Sequence, residues 1–388
     1  MLNNIKSKMV LNIIFGILKK FRKLKILKYS KIIRERLNIT LKDFRKCFLI
    51  KKMNQKFKLD IDDYDIEIFA FKSNQSFGNK IFEYLNKIGF NKLKDLDLSD
   101  NKISDISLLA KSNFEQLEIL WLNYNRIYDI NILGKVNFKK LKILDLYHNN
   151  ISDISILEKV KFPKLEKLWL NKNQIYDINI LEKVEFTNLK ELYLNSNKIS
   201  DIDVFEKVKF NALEKLVLSN NQIQKINVFE KVNFKELKEL YIGSNKISDI
   251  NILKNAKFEK LEKLELNNNS IININILENV NFKELKELNL SGNNIDNINI
   301  LEKTRFEKLE KLELNSNNIK DINILENVNF KELKELYLQM NKISDISIFN
   351  KVNFSKLNKL MLKYNRIIKE NNSHIIDKLN SYISYFDF

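Results

Sequence analysis

Cysteine is almost absent from this chain: Cys47 is the only one in 388 residues. An intramolecular disulfide framework is therefore excluded, and with it the cystine-stapled secreted folds. A cytoplasmic setting, or a nuclear one, is expected. Proline occurs once and glycine six times, so asparagine, serine and aspartate are expected to supply the turn chemistry. Only two histidines occur, His148 and His374. No glycine-rich phosphate loop and no Cys/His cluster with zinc spacing is present. The acidic turn at Asp60, Asp62 and Asp63 lacks the length and glycine of a calcium loop. No metal and no cofactor is expected. Long apolar runs are missing too. The stretch Met9–Leu18 is interrupted by Asn12 and followed by Lys19, Lys20, Arg22 and Lys23, which suits neither a cleaved leader nor a membrane span.

Charge is present, and it is uneven. Residues 1–60 carry 18 Lys/Arg against 3 Asp/Glu, a net of +15, whereas residues 93–388 carry 45 against 42. A basic head is thus joined to a nearly neutral body. The body is periodic. Asparagine recurs at Asn101, Asn125, Asn149, Asn173, Asn197, Asn221, Asn245, Asn269, Asn293, Asn317, Asn341 and Asn365, always 24 residues apart. Counted from its first leucine, the unit reads L-x-x-L-x-L-x-x-N-x-I-x-D-I-x-x-L-x-x-V-x-F-x-x. Leu96 and Leu98 and their counterparts alternate as a short strand with apolar side chains inward. Each asparagine amide both donates and accepts, so a stacked ladder is expected to satisfy buried backbone groups in the turn. The aspartates Asp105, Asp129, Asp153, Asp177 and Asp201 stand where a carboxylate caps a short helical turn. Leu109, Phe114 and their equivalents close the core.

That unit resembles the leucine-rich repeat. Its I-x-D-I-x-x-L half resembles the subtype of the phosphatase regulator Sds22 and the bacterial internalins, with two more residues around the valine and phenylalanine. The resemblance implies an α/β solenoid, a leucine-rich-repeat horseshoe with a parallel concave sheet and short helical turns on the convex side. It also implies a non-enzymatic scaffold that binds another protein on the concave face. Four regions are expected: a basic helical segment at 1–60, an N-terminal cap at 61–92, twelve repeats at 93–370 and a C-terminal capping helix at 371–388. Phe82, Leu85, Ile88 and Phe90 mark the first cap, and Ile375, Ile376, Leu379 and Ile383 the second.

Two further patterns bear on function. The residues after the first leucine alternate, as in Lys190-Glu191, Glu214-Lys215 and Lys238-Glu239. Equivalent positions on neighbouring parallel strands lie about 4.8 Å apart, so opposite charges meet, and a self-neutralising surface is a simpler reading than a docking strip. The fifth position of each repeat is expected to face a partner. It carries both tryptophans, Trp121 and Trp169, with Asp145, Tyr193 and Tyr241, while Tyr124 and Tyr147 stand at neighbouring exposed positions. Rigid aromatics of this kind are what binding hot spots are built from. Position five of the eighth to tenth repeats holds Glu265, Asn289 and Glu313, a polar and mildly acidic stretch. No catalytic residue is expected. His148 shares a repeat with Asp145, but no nucleophile stands beside them.

The basic head reads as helical and admits three readings: an F-box-like motif, which would make the chain a substrate receptor of a ubiquitin ligase; an electrostatic contact to anionic membrane or nucleic acid; or a small helical domain against the cap. A phosphatase-regulating subunit of Sds22 type is the other functional alternative. No small-molecule substrate is expected.

Overall fold

The computed structural model describes residues 53, 68–70, 78–88, 90, 92–112, 114–352 and 354–388. The basic head and its three readings lie outside these residues, apart from Met53, which is buried. The chain divides into two compact units, 1–141 and 142–388.

In the first unit, strands β1 (Ile68–Ala70), β2 (Asp95–Asp97) and β3 (Ile119–Trp121) pair in parallel. Helix α1 (Gly78–Ile88) sends Ile81, Phe82, Leu85 and Ile88 into the core. These residues follow the helical period, which puts them on one face. Asn86 joins α1 to the first repeat by donating its amide to the carbonyl of Leu108, 2.8 Å away, and by accepting from the Ser112 hydroxyl. The cap includes a strand as well as a helix. Residues 68–70 lack the L-x-x-L-x-L signature, so only their pairing with β2 reveals them.

The second unit repeats one theme. Its strands are β4 (Ile143–Asp145), β5 (Lys167–Trp169), β6 (Glu191–Tyr193), β7 (Lys215–Val217), β8 (Glu239–Tyr241), β9 (Lys263–Glu265), β10 (Glu287–Asn289), β11 (Lys311–Glu313), β12 (Glu335–Tyr337), β13 (Lys359–Met361) and β14 (Tyr385–Asp387). All are parallel, and from β4 to β13 equivalent positions pair without a slip, as Leu168↔Leu192 does. Both leucine rows are buried, and a row of phenylalanines including Phe210, Phe234, Phe258 and Phe282 fills the far side of the core. The phenylalanine carbonyl accepts from the leucine that opens the next repeat, as in Leu165 N–H to Phe162 O at 3.1 Å.

The asparagine ladder closes the turn. The Asn173 amide donates to the carbonyls of Leu146 and Leu170, both at 3.0 Å, and its oxygen accepts from the Ile151 N–H at 3.0 Å. One side chain thus satisfies backbone groups in its own and the preceding repeat, and the pattern runs on to Asn365. The aspartates act a little differently from the expected caps. Ile154 is the N-cap of the 3-10 turn Ser155–Lys159, and Asp153 just before it accepts the Ser155 N–H at 2.7 Å. Asn273 and Asn297 do the same.

The eighth position of each repeat has positive φ. Ser196, Asn220, Ser244, Asn268 and Ser316 occupy it, as expected of turn chemistry, but so do Tyr124, His148, Lys172, Met340 and Tyr364. Left-handed backbone at a residue with a side chain costs about 1–2 kcal/mol. A hydrogen bond holds it there: the Met340 N–H donates to the Lys363 carbonyl at 2.9 Å.

The C-terminal cap differs from the single helix expected over 371–388. Helix α2 spans Lys369–Tyr382 and buries Ile375, Ile376 and Leu379, and residues 385–387 then pair with β13 as β14. The helical period ends at Ile383, where extended backbone stops α2. Tyr385-Phe386-Asp387 then takes up the edge that β13 would otherwise leave open.

Candidate interaction surface on the strand face

The side chains at positions three and five of each repeat lie away from the leucine core, because successive residues of a strand point to opposite faces, and positions seven and eight follow in the turn after the strand. In the first unit Trp121 is half-buried, and its indole N–H donates to Asp95 at 3.0 Å. Burial, aided by the charge of Asp97, lifts the Asp95 carboxyl above the usual range despite that hydrogen bond. Tyr124 is exposed at a positive-φ corner.

In the second unit Trp169 and Tyr193 face one another across β5 and β6, edge to face, with ring centroids 5.6 Å apart. The Lys215 ammonium lies 5.7 Å from the Tyr193 ring and 4.9 Å from the Tyr241 ring. It also meets Glu239 at 2.7 Å. Tyr241 donates its hydroxyl to the same Glu239 at 2.6 Å. Burial and that hydrogen bond push the Tyr241 hydroxyl up to about 12. Burial works against the Lys215 charge, yet Glu239 and the two rings hold its pKa well above the ordinary lysine value. Val217 between the tyrosines is only 8% exposed. Trp169, Tyr193, Val217 and Tyr241 therefore form one continuous strip over β5–β8, stiffened by a cation held between two rings.

Two other residues expected to bind are placed differently. Asp145 is 3% exposed and accepts the Tyr147 N–H at 2.8 Å. It is a correction to the expected set, because its carboxylate holds the turn and is not presented to a partner. Tyr147 is half-buried, with Lys172 5.4 Å above its ring and His148 edge-on at 5.8 Å. His148 is exposed and contacts a ring.

The mild acidity expected of β9–β11 is partly paired on the strand face. Glu265 pairs with Lys263 at 3.1 Å and Glu313 with Lys311 at 2.7 Å, each on its own strand. The alternating ladder closes one way in each row. Lys190 reaches back to Glu166 at 3.0 Å, whereas Lys167 reaches forward to Glu191 at 2.7 Å. The β9–β11 stretch is polar, with Lys263, Lys286 and Lys311 all paired and carboxylates in slight excess.

A second group of exposed side chains, Met340, Tyr364 and Tyr385, lies at the C-terminal end. Reading the fifth position alone passes over the first two. The eighth position carries the signal, because six consecutive small residues from Ser196 to Ser316 give way there to methionine and tyrosine.

The repeated strand, ladder and 3-10 turn define a leucine-rich-repeat solenoid, and the strand face is its variable surface. A family model described as Leucine Rich repeats (2 copies) matches residues 115–159, 139–186, 163–207, 211–255 and 307–351. Another, Leucine Rich repeat, matches 91–110 and 284–298. The chain belongs to the leucine-rich-repeat family. Among solved structures it is similar to an internalin (inlF) from Listeria monocytogenes, at 27% identity and a TM-score of 0.67, covering 88% of this chain and 94% of that one. A leucine-rich-repeat protein of Leptospira interrogans aligns at 20% identity and a TM-score of 0.59, over 88% and 98%. The PEPR1–AtPEP1 structure aligns at 22% and 0.52, over 80% of this chain and 47% of that one. The last two show likeness of fold alone. No curated protein sequence matches.

Proposed function

We propose that the chain is a non-enzymatic interaction scaffold that holds a partner protein on its strand face, with Trp169, Tyr193 and Tyr241 as anchors. One observation carries the reading: the strip over β5–β8 joins large aromatic area to a pre-formed cation–ring lattice, so little side-chain entropy is left to lose on binding. The polar face of β9–β11 offers nothing comparable. Trp121 and Tyr124 supply aromatic contacts in the first unit. The lone Cys47 supports a cytoplasmic or nuclear setting. A quantitative pull-down compares wild type, Trp169→Ala/Tyr193→Ala and Asn289→Ala/Glu313→Ala. Partners lost from the first variant and kept by the second are expected, and equal recovery by both variants defeats the reading.

The net charge of +15 in residues 1–60 supports an added electrostatic contact to an anionic membrane or nucleic acid. Binding of the full chain to anionic liposomes or RNA should then fall steeply with salt, and salt-insensitive binding removes that contact.

A further inference from the structure

From β5 to β12 most strand-face lysines reach a carboxylate within 4.0 Å, and at β13 this compensation thins: Lys359 stands beside Glu335 on β12 but has a next-strand neighbour without charge. Lys359 occupies the position that Lys311 and Lys263 fill on earlier strands, but its partner on the next strand is Tyr385, where a glutamate would continue the alternation. Its ammonium lies 5.0 Å from both the Tyr337 and the Tyr385 rings. Among the described residues no carboxylate lies within 4.0 Å of Lys359 or Arg366. Lys363 reaches Asp387 only at 3.8 Å.

Apolar exposure rises at the same place. Met340 is 54% and Tyr364 71% exposed, and the Met340 N–H bonded to the Lys363 carbonyl sets their corners side by side. Both have positive φ, at 58° and 60°, where the six preceding repeats carry only serine, asparagine or glycine. Bulk is thus kept at a backbone position that disfavours it.

We infer that the last two repeats form a second docking site, for an acidic peptide segment with apolar side chains. Its carboxylates meet Lys359, Lys363 and Arg366, and its apolar residues cover Met361, Met340 and Tyr364. From position three to position eight the strip spans about 16 Å, the reach of roughly five extended residues. The commitment to an acidic partner follows from the excess of cations, Lys359, Lys363 and Arg366 against Glu335 and Asp387, which an apolar or basic segment would leave unbalanced.

The probe is a short fluorescein-labelled peptide of alternating glutamate and leucine, read by anisotropy on the full chain. The decisive variant is Lys363→Asn/Tyr364→Ser/Arg366→Asn, which restores the residues that Asn315, Ser316 and Asn318 supply two repeats earlier. Those residues already fold in this backbone, and Lys359→Gln alone provides a second variant that leaves every corner intact. The restored variant should raise Kd at least about tenfold and Lys359→Gln about threefold, while Trp169→Ala leaves it unchanged. A peptide with glutamine in place of glutamate should lose the binding. Unchanged Kd in both variants, equal binding of the glutamine peptide, or displacement by an equimolar oligonucleotide would overturn the assignment. Because Trp169→Ala is silent here, this site and the β5–β8 strip fail or stand separately.

Discussion

Strands β5–β8 and β9–β11 share one backbone and one Lys/Glu ladder, and differ in what the fifth position shows to solvent. Both pair in the same register, bury the same leucine rows and carry the same asparagine contacts. At the fifth position, however, one presents Trp169, Tyr193, Val217 and Tyr241 and the other Glu265, Asn289 and Glu313. The glutamates of the second set pair with lysines two residues back. The fold is thus carried by the positions the two stretches share, and recognition is left to those where they part.

That separation can be broken or sharpened by substitution. The largest effect is expected on binding. Trp169→Ala/Tyr193→Ala should weaken partner affinity by about 2–4 kcal/mol, and Glu313→Ala by less than about 0.5 kcal/mol, measured by calorimetry with the partner recovered by pull-down. Next comes the shared frame. Asn197→Leu leaves the carbonyls of Leu170 and Leu194 and the N–H of Ile175 without the bonds at 2.9–3.0 Å that its amide now makes. It should cost about 1–3 kcal/mol in urea unfolding. A comparable loss from Tyr193→Ala would erase the distinction between frame and surface.

Smaller effects test the corners. Ser244→Gly should gain up to about 1 kcal/mol, because glycine adopts positive φ freely. Gly292→Ala should lose about 1–2 kcal/mol. A Cβ there would stand 2.1 Å from the Asn268 side-chain oxygen, at a φ of 64°. The alkaline behaviour of Tyr241 is the smallest. Its folded pKa is raised from 10.0 to about 12. The stability this confers is complete below about pH 10 and is lost as pH rises through 12. Unfolding midpoints taken from pH 9 to 12 should show this loss in wild type and a smaller one in Tyr241→Phe, where Tyr193 and Tyr337 are still raised.

Much of this was legible in the sequence, for physical reasons that differ by element. Asparagine and leucine recur because each repeat must make the same bonds to its neighbours, so the strands, the ladder and the aromatic row of position five could be read directly. Strands β1 and β14 could not, since neither carries the leucine signature of the repeat and each exists through the strand beside it. The burial of Asp145 was hidden as well, because it depends on a local bond to the Tyr147 N–H and not on spacing. The Lys215 cage was implicit in the alternation of lysine at position three with tyrosine at position five. It becomes visible only when the register sets one lysine between two rings. Met340 and Tyr364 were legible in the eighth-position row.

The central claim is that the β5–β8 strip is where a partner docks. A photo-crosslinking phenylalanine analogue placed at position 193, and separately at position 289, tests it most directly. The two sites lie on one sheet at equivalent positions four repeats apart. Adducts with a protein partner from position 193 and none from position 289 are expected. Adducts from 289 alone, or equally from both, would contradict the account.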